Sequence, residues 1–225
     1  MTNQPLYYKR HDELSDDLDP MGESLINRDS TPFKVWIPQE KGLVLGNSQK
    51  PELELKLQNC LDDQVPIYKR RGGGGTVLLS PKGLCFGIRF KKQKSWAIHD
   101  YFETGTGILQ SVLQKNYGIE SIPRGISDLC ISQKKILGCS LYLPRDYGLY
   151  LAAVLIEPDL EAIEKYLAHP SKEPDYRVGR THRDFLTFLA EETSGECTNT
   201  RLQKELETEI ESSILEHLDF NLDSN

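Results

Sequence analysis

Four consecutive glycines, Gly72, Gly73, Gly74 and Gly75, stand between the apolar runs Pro66-Ile67-Tyr68 and Thr76-Val77-Leu78-Leu79. No helix runs through such a segment, because each glycine costs about 1 kcal/mol relative to alanine in a helix interior. The flanking runs are short and β-rich, so the pattern predicts strand, glycine loop, strand. A loop without Cβ atoms lets main-chain N–H groups approach a ligand, and successive exposed N–H groups form a concave site for an anion. Arg70 and Arg71 directly precede the glycines, and arginine grips phosphate or carboxylate through paired hydrogen bonds. A P-loop and a dinucleotide fingerprint are both excluded, since each needs a helix after the glycines. The plain alternative is a flexible surface hairpin tip.

A second signal lies in Asp128-Leu129-Cys130-Ile131-Ser132-Gln133-Lys134-Lys135-Ile136-Leu137-Gly138-Cys139-Ser140. Two apolar runs flank a polar turn, which predicts a hairpin. Lys135 sits where the turn re-enters a strand. An ammonium fixed there can face a carboxylate or phosphate oxygen and stabilise charge that develops during acyl transfer. Plain solvent-facing charge is the alternative.

The remaining patterns set the fold class. Residues 33–37, 42–46, 84–90 and 149–156 read as strands, the last so continuously apolar that it belongs in a sheet centre. Helical spacing predicts helices over 52–60, 99–117, 160–167, 184–189 and 201–218, with Tyr101, Ile108, Val112 and Leu113 as a buried stripe. A short helix is predicted over 18–26, capped by Asp16 or Asp17. Strands arrive in groups with helices between them, so the expected class is α+β, with a mixed or mostly antiparallel central sheet backed by helices. We divide the chain into a flexible leader (1–15), a catalytic domain (16–192) and a C-terminal helical extension (193–225).

Charge and cysteine usage exclude several functions. The 27 basic and 34 acidic residues give a net charge of −7, which argues against a nucleic-acid partner. No run approaches about 18 apolar residues, so no membrane span is expected, and a cytoplasmic protein is the default. The five cysteines have no C-x-x-C spacing, and the histidines have no metal spacing, so no metal site is expected.

Taken in order, these segments resemble the lipoate-protein ligase family, within the wider group of biotin and lipoate ligases. Arg70-Arg71-Gly72-Gly73-Gly74-Gly75-Thr76-Val77 resembles its arginine and triple-glycine motif. Asp128 with Lys135-Ile136-Leu137-Gly138 resembles its Asp…Lys-Ile-x-Gly motif, and Val44-Leu45-Gly46-Asn47-Ser48-Gln49 its earlier VxGxxQ-like segment. Residues 173–185 resemble a late segment of one branch. The resemblance implies a core like that of biotin ligases and class II tRNA synthetases. It implies activation of lipoate with ATP and Mg²⁺ as lipoyl-adenylate, then transfer to a lysine. The acceptors would be lipoyl domains of 2-oxoacid dehydrogenase complexes or the glycine cleavage H protein. Lys135 then falls on the family's functional lysine. Arg70, Gly73, Gly74, Gly75, Thr76, Asp128 and Gly138 would surround the acyl group and adenylate, with Asp128 orienting the lysine or an acceptor group.

After residue 190 the sequence predicts little beyond one long helix, where some ligases carry an accessory domain. An ATP-independent transferase of the same fold is therefore the alternative. It would take octanoyl from acyl carrier protein or lipoyl from another lipoylated protein. Cys139 is its candidate nucleophile, the one cysteine inside a matched motif with an ammonium nearby. A biotin ligase ranks lower, and a non-catalytic lipoate-binding protein is the non-enzymatic reading.

Overall fold

The computed structural model describes residues 8–10, 19–27, 31–157 and 159–219. A six-stranded antiparallel sheet has the order β2-β6-β10-β9-β8-β7. Its strands are β2 (Phe33–Trp36), β6 (Gly83–Lys91), β7 (Ile122–Arg124), β8 (Asp128–Ile131), β9 (Lys134–Tyr142) and β10 (Tyr147–Leu155). β10 lies between β6 and β9, where its apolar sequence predicts.

Side chains alternate across the sheet with period two. Leu84, Phe86, Ile88 and Phe90 of β6 and Tyr150, Ala152 and Val154 of β10 face one way. They pack on α3 (Ile98–Tyr117) and α7 (Asn199–Ser213). All four residues of the expected α3 stripe are buried there. The intervening residues Cys85, Leu151 and Ala153 face the other way, toward a second sheet and Met21, Leu25 and Trp36.

The second sheet has the order β1-β4-β3-β5, from β1 (Tyr8–Arg10), β3 (Gly42–Leu45), β4 (Ile67–Lys69) and β5 (Val77–Leu79). β1 and β3 run parallel to β4, and β5 is antiparallel to β3. Leu43, Leu45, Ile67 and Leu78 cover one face against Leu55, Cys60, Ile163 and Tyr166. These come from the segment around α1 (Pro51–Glu54) and α2 (Leu57–Asp62) and from α4 (Leu160–Tyr166). Val44, Tyr68 and Leu79 turn the other way and meet Cys85 of the large sheet.

The expected α+β class with a mostly antiparallel sheet is what forms, but in two sheets with a gap between them. β3 lies between β4 and β5, so the glycine run is no hairpin tip. It arches over the end of β3. Residues 8–10 of the expected flexible leader form strand β1, paired on β4. β7 is a further strand that sequence periodicity missed.

Several helices differ from expectation where tertiary contacts outweigh local spacing. The helix expected over 52–60 breaks at Leu55, which is buried and bridges Leu167, while Leu53 stays 56% exposed. Of the helix expected over 18–26, the described residues 19–26 form only a 3-10 turn, Glu23–Ile26. Its capping carboxylate is Asp19, which accepts the N–H of Glu23 at 2.6 Å; Asp16 and Asp17 lie outside the described residues. The helix expected over 184–189 is two short ones, α5 (His182–Phe185) and α6 (Leu189–Glu192). Between them the chain extends so that Thr187 donates its N–H to the Lys135 carbonyl at 3.1 Å. α7 ends at Ser213, and Leu218 instead bridges Phe90. Leu202, Leu206 and Ile210 of α7 have no exposed surface, so this helix belongs to the core of the large sheet. Among the described residues no helix is long and apolar enough to cross a membrane.

Leu206→Ala is expected to cost about 2–5 kcal/mol in urea denaturation, the range for an emptied core site. Leu53→Ala is expected to cost less than about 0.5 kcal/mol. Equal small effects would make α7 an appendage.

Candidate functional site

A cleft of about 750 Å³ opens in the gap between the sheets. Gly75 and Thr76 of the glycine run, and Asp128, Lys135 and Gly138 of the hairpin, all line it. The two segments that sequence analysis singled out thus meet in one place. The walls fall into two regions. One is apolar, built from Met21, Trp36, Val44, Val77, Leu79 and Ala153, which pack together. The other is polar and carries Arg124, Lys135, Tyr176, Arg177 and His182.

Arg70 shapes the glycine loop from beneath. Its guanidinium donates to the carbonyls of Gly73 at 2.8 Å, Gly75 at 2.7 Å and Val44 at 3.3 Å. Burial lowers its pKa to about 10, so it stays cationic at neutral pH. Arg70, one of the residues that the resemblance implies around the acyl group and adenylate, lines the cleft, and its bonds to the loop carbonyls hold the loop's curvature there. Arg71 pairs with Glu23 at 3.1 Å. The loop sits hard against the end of β3: the Asn47 N–H bonds the Gly72 carbonyl at 2.9 Å, and a Cβ on Gly46 would collide with the Gly74 carbonyl. Gly74 has φ +93°, and a Cβ there would stand 2.9 Å from Arg70 Nη2. Gly73 and Gly74 shape the loop without lining the cleft, whereas Gly75 borders it.

Lys135 reaches the cleft through an irregularity. β8 pairs Leu129 with Leu137 and the next residue, Cys130, with Lys135. Ile136 is therefore an extra residue in β9. Ile136 and Leu137 both bury against the helical core. Such a bulge re-aims the neighbouring side chain, and Lys135 turns to the side of Gly138. There its Nζ meets Asp128 Oδ1 at 2.6 Å. A Cβ on Gly138 would lie 2.8 Å from that Nζ and 3.0 Å from Cε, so the glycine is the floor on which the lysine rests. Asp128 is only 8% exposed. Its other oxygen accepts the Tyr176 hydroxyl at 2.8 Å.

Cys139 faces the opposite way. Its backbone borders the cleft near Gly74, but its side chain packs in the helical core. The thiol donates to the Ser127 carbonyl at 3.0 Å, and burial pushes its pKa up to about 12. The alternation of β9 puts Gly138 and Ser140 on the cleft side, so a nucleophilic role for Cys139 does not fit.

Residues 173–182 supply site residues that sequence reasoning left without a role. Arg177 is buried and stacks 4.6 Å from the Phe185 ring centre. Its Nη2 has no hydrogen-bond partner within the described protein, and burial lowers its pKa. His182, beside it, has its pKa lowered to about 4, first by burial and then by Arg177, so it is neutral at ordinary pH. The closely spaced arginines of this segment were the available signal. Among the described residues one group could hold a metal ion, His99, Asp100 and Glu103 at the start of α3; it does not line the cleft.

The family model of the lipoyl protein ligase A/B catalytic domain matches residues 22–211. A probable lipoate-protein ligase A of Mycoplasma pneumoniae is 30% identical over 125 residues, 56% of this chain and 36% of the relative. The lipoate-protein ligase A of Psychrobacter cryohalolentis is 26% identical over 148 residues, 65% of this chain and 42% of that one. The match thus spans less than half the length of these curated relatives. A lipoate-protein ligase A structure bound with ATP superposes with TM-score 0.74 at 17% identity, covering 93% of this chain and 84% of that one. A bi-partite ligase of Thermoplasma acidophilum, described with its E2 lipoyl domain, gives 0.72 at 18% identity, covering 86% and 76%. Plasmodium falciparum LipL1 in complex with lipoate gives 0.67 at 20% identity, covering 82% and 50%.

With its pKa near 12, the Cys139 thiol is ionised in about one molecule in ten thousand at pH 8. We expect a thiol reagent to modify it at least about a hundredfold more slowly in the native chain than after denaturation. Peptide mass spectrometry reads this directly, and fast native modification would return Cys139 to the candidates.

Proposed function

The chain belongs to the lipoyl protein ligase A/B catalytic domain family, and on that premise we propose that it joins lipoate to a lysine of a lipoyl domain by way of lipoyl-adenylate. The observation that carries this is the convergence of the Gly75–Thr76 edge and the Lys135 ammonium on one cleft with an apolar wall and a polar wall that carries arginines and lysine. An acyl chain suits the apolar wall, since burying each CH₂ contributes about 0.8 kcal/mol. Phosphate suits the basic side chains of the polar one. The chemistry also fits the solved relatives described with ATP and with lipoate.

In the first step a lipoate carboxylate oxygen attacks the α-phosphorus of ATP and pyrophosphate leaves. Negative charge builds on the phosphoryl oxygens, where Arg124, Lys135 and Arg177 are cations of the cleft wall. In the second step a neutral acceptor amine attacks the acyl carbon, the bond from that carbon to the phosphate oxygen breaks so that AMP leaves, and the nitrogen's extra proton passes to solvent. The Lys135 ammonium, held on the Gly138 floor, would bond the oxyanion that forms between. Asp128 orients that ammonium, and the backbone of Gly75, set in place by the Gly73–Gly74 turn that Arg70 props, gives the acyl carboxyl a wall without a side chain. Mg²⁺ takes hard oxygen donors; bound with ATP, the ion would screen the phosphates, while Asp128 is already divided between Lys135 and Tyr176. The acceptors would be lipoyl domains of 2-oxoacid dehydrogenase complexes or the glycine cleavage H protein. Five unpaired, buried cysteines suit a reducing compartment such as the cytoplasm.

The test is to incubate the chain with ATP, lipoate and an apo lipoyl domain, and to weigh the domain. A lipoyl mass gain that requires ATP is expected. Gain only from octanoyl-acyl carrier protein would make it a transferase, and no gain from any donor a binding protein.

Lys135→Ala is expected to slow transfer by about a hundredfold or more, the usual loss for one oxyanion-stabilising group, and to lower the denaturation midpoint as well, because it leaves the buried Asp128 carboxylate without its cation. Gly138→Ala separates position from charge. Its Cβ would meet only the tip of a flexible side chain, so stability should fall by less than about 1 kcal/mol. The displaced ammonium should still cost about tenfold or more in rate. A Gly138→Ala enzyme of normal rate would remove the floor from the mechanism.

A further inference from the structure

We infer that Tyr176 is a positioning residue for Lys135, acting through Asp128, an inference that rests on the role proposed above for the Lys135 ammonium. The two oxygens of the Asp128 carboxylate are divided between two partners. Oδ1 meets Lys135 Nζ at 2.6 Å, and Oδ2 accepts the Tyr176 hydroxyl at 2.8 Å. A carboxylate facing only a lysine can turn about its own side-chain torsions and carry the ammonium with it. A second bond from a ring anchored elsewhere removes that freedom.

The ring is well anchored. It lies 5.3 Å from the Phe185 ring centre, and the Cys130 thiol donates to its hydroxyl at 3.4 Å. Behind it stands Gly125, at φ +58°. A Cβ there would come within 3.3 Å of Pro174 and 3.6 Å of the Tyr176 ring. Residues 173–181 that carry Tyr176 form a strap across the polar region. Arg180 ties the strap down, bonding the Tyr176 carbonyl at 2.9 Å and the Gln133 carbonyl, in the turn before Lys135, at 3.0 Å. Val178 sits in the left-handed region, with φ 52°, a conformation a β-branched residue keeps only where its surroundings impose it. Burial, and then the Asp128 charge, push the Tyr176 phenol above its ordinary range, so it remains a donor. The strap is thereby coupled to the reacting charge through one hydroxyl.

Tyr176→Phe keeps the ring and removes only that hydroxyl. In the assay with ATP, lipoate and apo lipoyl domain, kcat is expected to fall about tenfold while KM for lipoate stays unchanged, the loss of one positioning hydrogen bond. In an Asp128→Asn background the same change should add nothing, because residues that act through one another are not additive. A second measurement needs no turnover: acylation of Lys135 by a water-soluble succinimidyl ester, followed by peptide mass spectrometry. Released from its clamp, Lys135 should react about fivefold faster in Tyr176→Phe than in the parent chain. Unchanged labelling together with unchanged kcat would overturn the inference while leaving the proposed ligase activity standing. Accelerated labelling in a chain that transfers nothing from any donor would uphold the clamp and overturn the ligase proposal instead. A loss seen equally in KM for lipoate, or full additivity with Asp128→Asn, would make Tyr176 a structural residue of the strap and overturn the inference.

Discussion

A lysine ammonium lying against a carboxylate across a residue with no side chain organises this molecule's cleft. Lys135 reaches Asp128 because an extra residue in β9 turns it to the Gly138 side of the sheet, and because Gly138 leaves the path open. Either change alone would be insufficient. Without the bulge the lysine would share the face of Leu137, against the helical core. With any Cβ at 138 it could not settle at 2.6 Å from the carboxylate. The pair is partly buried, where attraction between charges is stronger than in water but so is the cost of leaving either one unpaired. That cost explains why the surroundings are so fully bonded on the Asp128 side.

The second buried cation works differently. Arg70 looks in sequence like an anion-binding residue placed beside a glycine cradle. In the fold it turns inward, and three backbone carbonyls of the loop and of β3 take up its donors. A glycine run has too much freedom to hold one shape by itself. A planar guanidinium with several fixed donors is well suited to impose one. The loop then presents Gly75 to the cleft in a set conformation, with Arg70 itself at the cleft edge. Arg177, which Phe185 supports by stacking and Glu173 meets at 3.6 Å through Nε, keeps an unpartnered donor at Nη2.

Much of this was legible before the fold. The family could be named from the ordered motifs, and Lys135, Asp128, Gly75 and Gly138 were singled out together. The stripe of α3 and the central place of β10 followed from periodicity, because a buried face repeats with its element's own geometry. Other features had no such signal. Leu53 and Leu57 have helical spacing, yet Leu55 is the buried residue, since pairing with Leu167 outweighs a short helix's weak preference. β7 and β1 are three residues each, too short for alternation to register. Tyr176, in a polar stretch, offers no periodicity at all.

The sequence alone determined which chemistry is present: a loop free of side chains, a lysine near a strand start with a glycine three residues on, and an acidic partner at the other strand of the same hairpin. Local pattern suffices for these because each is a property of neighbouring residues. Tertiary structure decided the rest. It set the glycine loop over β3 rather than at a hairpin tip, turned Arg70 inward and Cys139 into the core, and brought Tyr176 to Asp128 from 48 residues away. These outcomes depend on strand order, and on the one-residue slip in β9 that reverses which face a side chain takes. Neither is written in any local stretch of the chain, because both come from the packing of two sheets whose strands are far apart in sequence.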